Sequence, residues 1–215
     1  MQGFFSAVFY LAGASGLAFV LWKKLKEDYQ EDLIFYLTII LVGTLLLVSK
    51  IFGTYLPDFS FLGIVVSLIF ITLYSFKKLG FKFFESIDAL SMGGLWFLFF
   101  LGADWLLKTR AFAPAAVLNI LVISLSLLSY KFFLSRYRRF SWYPSGKIGF
   151  PGLASLAIFF LLHSAVAFYS WPVLSFPWIV NIGATVILFL ALAAILYLRS
   201  GRAGAERIIL KWQKK

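Results

Sequence analysis

The feature that most constrains this chain is the stretch 59–88, in which an uncharged apolar run over 61–76 is closed by Lys77 and Lys78. Gly80 follows the two lysines and ends the run. An apolar run that stops at lysines is typical of a helix that crosses a membrane, because lysine side chains reach the headgroup region more readily than the hydrocarbon. The sequence therefore predicts a transmembrane span here.

Six further apolar segments occur along the chain, so the sequence predicts an all-α integral membrane bundle of seven transmembrane helices. Only 13% of the residues are charged and 62% are hydrophobic, whereas a soluble domain carries about 25% charged residues. We expect one transmembrane domain, 1–215, that ends in a basic tail, 199–215. The predicted spans are 4–22, 33–52, 61–76, 87–107, 113–133, 152–169 and 178–198.

The basic residues are distributed unequally between the two ends of the predicted spans. All but three of the twenty lysines and arginines lie in the tail or in loops at one end, the exceptions being Lys50, Lys108 and Arg110. The positive-inside rule predicts that this basic end is cytoplasmic and that the N-terminus is outside. We attribute the net charge of +11 to topology and anionic lipid headgroups, and expect no nucleic acid partner.

The residue inventory restricts the chemistry that the chain can perform. It has no cysteine and one histidine, which excludes disulfides, zinc–thiolate sites, cysteine nucleophiles and histidine-rich metal sites. We expect no metal and no cofactor.

Short motifs in the chain resemble those of a known membrane-enzyme family. Ser60, Phe61, Leu62 and Gly63, which we predict to open with a turn, stand where that family has a serine-phenylalanine-histidine-glycine motif. A lysine pair, a glycine and Asp88 at the next helix follow at the family's spacing. These positions resemble the prolipoprotein diacylglyceryl transferases, seven-span bacterial enzymes that move a diacylglyceryl group from phosphatidylglycerol to a lipoprotein precursor.

That resemblance implies a multi-pass protein of the bacterial inner, or cytoplasmic, membrane with a role in lipoprotein biogenesis. It also implies membrane lipid, phosphatidylglycerol in particular, and a lipoprotein precursor as partners.

The resemblance does not extend to the residues that carry the family's chemistry. Leu62 replaces the motif histidine, and the segment 101–105 lacks the arginine and asparagine of the fourth-span signature. Diacylglyceryl transfer needs a base, cations that hold the phosphate and polar groups that orient the glyceryl carbon. Leucine supplies none of these, so the sequence favours a divergent relative that binds phospholipid or a lipoprotein partner without catalysing transfer.

An active transferase with a rebuilt site is an alternative, and it would use the few polar residues inside the spans. His163, within the sixth span, and Asp104, near the outer end of the fourth, are the candidate catalytic residues. Their structural interpretations are a neutral histidine bonded to a neighbouring helix and a carboxylate paired with Lys108 one turn later.

Three further interpretations concern charged residues at helix ends and the fold as a whole. Lys108 and Arg110 are candidates to hold a lipid phosphate, although loop cations at a membrane surface need no such role. Asp88 is interpreted as a charge matched to the dipole of its own helix. A small membrane transporter is the remaining alternative, but the two halves show no paired glycines or prolines that would break helices symmetrically.

Overall fold

The computed structural model describes residues 2–56, 59–108, 114–170 and 176–202, and the regular structure in these ranges is helical throughout. Seven helices are long and apolar enough to cross a membrane, which confirms the predicted all-α architecture. A 3₁₀ turn, Tyr137–Arg139, follows the fifth helix. The helices are α1 (Gln2–Leu25), α2 (Glu31–Tyr55), α3 (Ser60–Leu79), α4 (Phe83–Lys108), α5 (Pro114–Arg136), α6 (Phe150–Ser170) and α7 (Phe176–Arg199).

Two helix starts differ from the prediction in ways that affect the site. Ser60 and Phe61 are the first residues of α3 and do not form a turn before it. Helix α4 begins at Phe83, so Asp88 lies in its second turn and not at its start. Hydropathy detects the membrane-embedded part of a helix, and it misses turns that continue the helix into the polar interface.

The end of α3 follows the prediction closely. Gly80 has a φ of 77° and caps the helix in the left-handed conformation, and its amide bonds to the carbonyl of Phe76. The amide of Phe81 donates to the same carbonyl at 3.0 Å. Glycine is favoured here because a side chain would be strained at that φ.

Helix α4 is the centre of the bundle, since it packs against α1, α5 and α6. Its contact with α1 is the most extensive in the molecule, whereas α2 packs mainly on α3 and less on α1. Gly93 of α4 allows the close approach of α1, because a Cβ atom there would lie 2.6 Å from the Leu17 side chain. Helix α7 packs mainly on α6, and only a small share of it is buried.

Two loops at the basic end are joined by a small polar network. The hydroxyl of Tyr29 donates to Glu85 at 3.1 Å and accepts from the backbone amide of Lys82 at 2.9 Å. Lys82 also pairs with Glu85 at 3.2 Å. The hydrogen bond and charge of Glu85 raise the pKa of Lys82 above its usual value. A raised pKa means that the ammonium of Lys82 stays charged up to a higher pH than that of a free lysine. The ion pair between Lys82 and Glu85 therefore persists at neutral pH.

Candidate functional site

Asp88 holds the start of a different helix from the one that carries it. One carboxylate oxygen, Oδ1, accepts the amide of Gly152 at 2.6 Å, and Oδ2 accepts the amide of Gly149 at 3.2 Å. Both amides belong to the N-terminal end of α6, whose first amides have no partner within the helix. The interpretation that Asp88 matches the dipole of its own helix is therefore wrong, because its carboxylate caps α6 across the bundle.

Two glycines allow α6 to come this close to α4. Gly149 has a φ of 91°, and a Cβ atom there would lie 2.7 Å from the backbone oxygen of Phe84. A Cβ atom on Gly152 would lie 2.6 Å from the Ser91 hydroxyl and 2.7 Å from Oδ1 of Asp88. The capping contact therefore requires glycine at both positions.

Arg199, the last residue of α7, lies beside the starts of α4 and α6. The Arg199 guanidinium lies 3.4 Å from the centre of the Phe84 ring and donates to the carbonyl of Ile148 at 2.8 Å. These contacts connect the end of α7 to the starts of α4 and α6. Asp88 is therefore part of the packing between helices, and both of its oxygens are used as hydrogen-bond acceptors.

His163 is held by aromatic rings. Its imidazole stacks on Phe61, with ring centres 4.4 Å apart, and on Phe159, with centres 5.6 Å apart. Phe61 belongs to α3 and Phe159 to α6, so the histidine fills the contact between these two helices. The structure thus brings together His163 and one motif residue, Phe61, although no local sequence pattern connects them.

Among the other motif positions, Gly63 lies at a close contact between helices. Leu62 is partly exposed, and Gly63 is buried where a Cβ atom would overlap the ring of Phe52. Ser60 begins α3, but its side chain lies outside the described part of the chain. The motif segment therefore serves the contact between α2 and α3 at Gly63.

Asp104, the second candidate catalytic residue, is buried in α4 and takes part in a polar interaction. The side chain of Lys108 and the whole of Arg110 lie outside the described residues. The predicted pairing of Asp104 with Lys108, and phosphate binding by Lys108 and Arg110, remain predictions.

An open cleft of about 460 Å³ lies between α1 and α2 near their basic ends. The walls of the cleft are mostly apolar. Its mouth, on the side of the loop that joins the two helices, carries two carboxylates and an indole. The indole Nε1 of Trp22 donates to Oε1 of Glu31 at 3.1 Å across the mouth. The cleft is lined by Ala18, Phe19, Trp22, Glu31, Asp32, Ile34, Phe35 and Thr38.

Two lysines stand beside the aromatic rings of this α1–α2 cleft. The ammonium of Lys26 lies 4.3 Å from the centre of the Trp22 ring, and that of Lys23 lies 5.9 Å from the Phe19 ring. This site was not predicted from the sequence, although a signal was present. Phe19, Trp22, Lys23 and Lys26 recur at the three- and four-residue spacing that places side chains on one helix face.

The described residues include no group of three or more histidine and acidic side chains placed to hold a metal ion. No family model, curated protein or solved structure matches this chain.

Proposed function

We propose that this chain is a multi-pass protein of the cytoplasmic membrane that binds phospholipid and does not catalyse diacylglyceryl transfer. It is similar in its motif spacing to the prolipoprotein diacylglyceryl transferases, and we place it among the divergent relatives of that family. In this proposal its basic end faces the cytoplasm and its N-terminus lies outside.

The observation that carries the binding proposal is the α1–α2 cleft. It lies between two helices that are each long and apolar enough to span a membrane. Apolar walls next to a charged mouth are the arrangement that an amphipathic ligand requires, because its chain and its headgroup need opposite surroundings. A phospholipid reaches such a cleft by diffusion within the bilayer.

The contacts of His163, a candidate catalytic residue, and of Asp88, a motif residue, support a role without catalysis. A general base needs to reach the proton that it removes. Asp88 uses both of its oxygens to cap α6, and His163 is stacked on Phe61 and Phe159. Leu62, at the position of the family's histidine, has no proton to exchange. In these positions Asp88 and His163 stabilise the packing between helices.

Lipid analysis of the purified protein tests the binding proposal. We expect native mass spectrometry of the detergent-purified chain to show a stoichiometric phospholipid adduct that survives dilution into fresh detergent. Phe35→Asp, which places a charge on the apolar wall of the cleft, should remove the adduct. Phe70→Asp, an equally exposed position on α3, is the matched control and should retain it. A chain that carries no phospholipid after mild extraction would contradict the proposal.

Complementation tests the absence of transferase activity. In a bacterium depleted of its own prolipoprotein diacylglyceryl transferase, expression of this chain should leave lipoprotein precursors unmodified. Mature lipoprotein would instead support a rebuilt catalytic site. His163→Phe, which retains the ring stacking but cannot exchange protons, would then separate catalysis from packing, since only a catalytic histidine would lose product formation.

A further inference from the structure

We infer that the α1–α2 cleft selects a zwitterionic phospholipid whose headgroup carries a primary ammonium, rather than an anionic phospholipid. This inference rests on the proposed function and names the class of lipid that the cleft would take. Charge complementarity carries it, because two carboxylates line the cleft and two lysine ammonium groups lie over aromatic rings of its lining.

The acidic half of the mouth belongs to α2. Glu31 and Asp32 are the first two residues of that helix, and both line the cleft. The hydrogen bond from Trp22 to Glu31 fixes the carboxylate toward α1. A primary ammonium donates three hydrogen bonds to such oxygens, whereas a glycerol headgroup on an anionic phosphate brings no positive charge to them.

The basic side chains beside the cleft come from the last turn of α1 and the residue after it. Lys23 and Lys26 are exposed, and their ammonium groups lie over rings that line the cleft. A lipid phosphate at the mouth would meet these cations, while its ammonium extends across to α2. Four charged side chains of both signs thus match the two charges of one zwitterionic headgroup.

The depth of the cleft suits the start of an acyl chain below that headgroup. From Glu31 the lining of α2 continues through Ile34 and Phe35 to Thr38, which is seven residues further along the helix. At a rise of about 1.5 Å per residue, this extends roughly 10 Å from the mouth toward the membrane centre. The Thr38 hydroxyl is bonded to the carbonyl of Ile34 at 2.8 Å, so the deep end presents an apolar surface.

A lipid competition experiment tests the inference on the full chain. The purified protein is delipidated and titrated with phosphatidylethanolamine, phosphatidylcholine and phosphatidylglycerol of identical acyl chains, with native mass spectrometry as the readout. We expect the ethanolamine lipid to bind about tenfold more tightly than the glycerol lipid, the size of one charge-assisted hydrogen bond. The choline lipid should be intermediate, because its quaternary ammonium cannot donate a hydrogen bond.

Two double variants of equal charge identify the residues responsible. Glu31→Gln with Asp32→Asn should abolish the ethanolamine preference, and the glutamine still accepts the Trp22 hydrogen bond. Glu27→Gln with Asp28→Asn, in the exposed turn outside the cleft, should leave the preference unchanged.

The titration distinguishes headgroup selectivity, which is the inference, from phospholipid binding, which is the proposed function. Equal retention of the three lipids, or an unchanged preference in the cleft variant, would overturn the inference and leave phospholipid binding intact. Failure to bind any of the three would overturn both.

Discussion

Asp88 shows at the residue scale how one carboxylate positions two transmembrane helices. Its two oxygens accept amides from the first turn of α6 while its backbone continues α4. A carboxylate at a helix N-terminus also meets the positive end of the helix dipole. The residue therefore supports α6 both by hydrogen bonding and by charge.

Replacing Asp88 by alanine should lower the stability of the bundle. Two charge-assisted hydrogen bonds are lost and two buried amides are left without an acceptor, which costs about 2–4 kcal/mol. We expect the Tm of the detergent-solubilised protein, followed by tryptophan fluorescence, to fall by several degrees. The Tm of Asp88→Asn should lie between those of the wild type and the alanine variant, because the asparagine side chain keeps one acceptor oxygen. Asp28→Ala, in an exposed turn, is the control and should leave the Tm unchanged.

Gly152 should tolerate no side chain, since a methyl group there would meet Asp88 and Ser91. We expect Gly152→Ala to destabilise the protein by about 1–3 kcal/mol, the usual cost of overpacking. Gly183→Ala, on α7 where a Cβ atom meets nothing within 4 Å, should unfold at or slightly above the wild-type temperature. Equal melting temperatures for the two variants would show that α6 and α4 do not meet as described.

Polar residues inside the spans could be found in the sequence, but their roles could not. Asp88 lies 61 and 64 residues from its two partners, so no local pattern indicates which helix it caps. His163 is similar, because its stacking on Phe61 depends on how α3 meets α6. The α1–α2 cleft was missed because it forms only where two helices separate.

At the scale of elements, the contact between α1 and α4 organises the bundle. It is the most extensive contact between helices, and buried leucines of α1 pack there with Ala89 and Phe97 of α4. Small residues at such contacts let helices in membranes approach closely, where van der Waals packing holds them together.

Adjacent glycines on α4 provide a matched test of this contact. Gly93 faces Leu17 with no room for a Cβ atom, whereas a Cβ atom on Gly94 meets nothing within 4 Å. We expect Gly93→Leu to separate α1 from α4 and to destabilise the protein by about 1–3 kcal/mol or more. Gly94→Leu should fold with a wild-type Tm. Equal Tm values for the two leucine variants would show that α1 does not pack against α4 at Gly93.

The number and type of the helices were readable from the sequence, because each span is an apolar run bounded by polar or glycine residues. The first and last residues of the helices were harder to predict. Helix α4 starts four residues earlier than the predicted 87, at Phe83, since aromatic residues suit both the hydrocarbon edge and the interface. The end of α3 was readable because Gly80 leaves few alternatives.

For the whole molecule, the orientation in the membrane is the broadest prediction. The chain contains no cysteine, so single cysteines report accessibility without background. We expect Thr54→Cys, exposed at the end of α2 opposite the basic loops, to react with an impermeant maleimide added to intact cells. Ser141→Cys, exposed in the loop between α5 and α6, should react only after permeabilisation. The reverse pattern would contradict the positive-inside assignment.

The hydrogen bonds between Asp88 and the start of α6 also set an order of events during synthesis. The carboxylate leaves the ribosome some 61 residues ahead of the first amide that it will bind. Until α6 arrives it must be hydrated, because an unpaired charge is costly in hydrocarbon. We therefore expect this segment of the nascent α4 to stay at the water boundary until the start of α6 arrives and its amides replace that water.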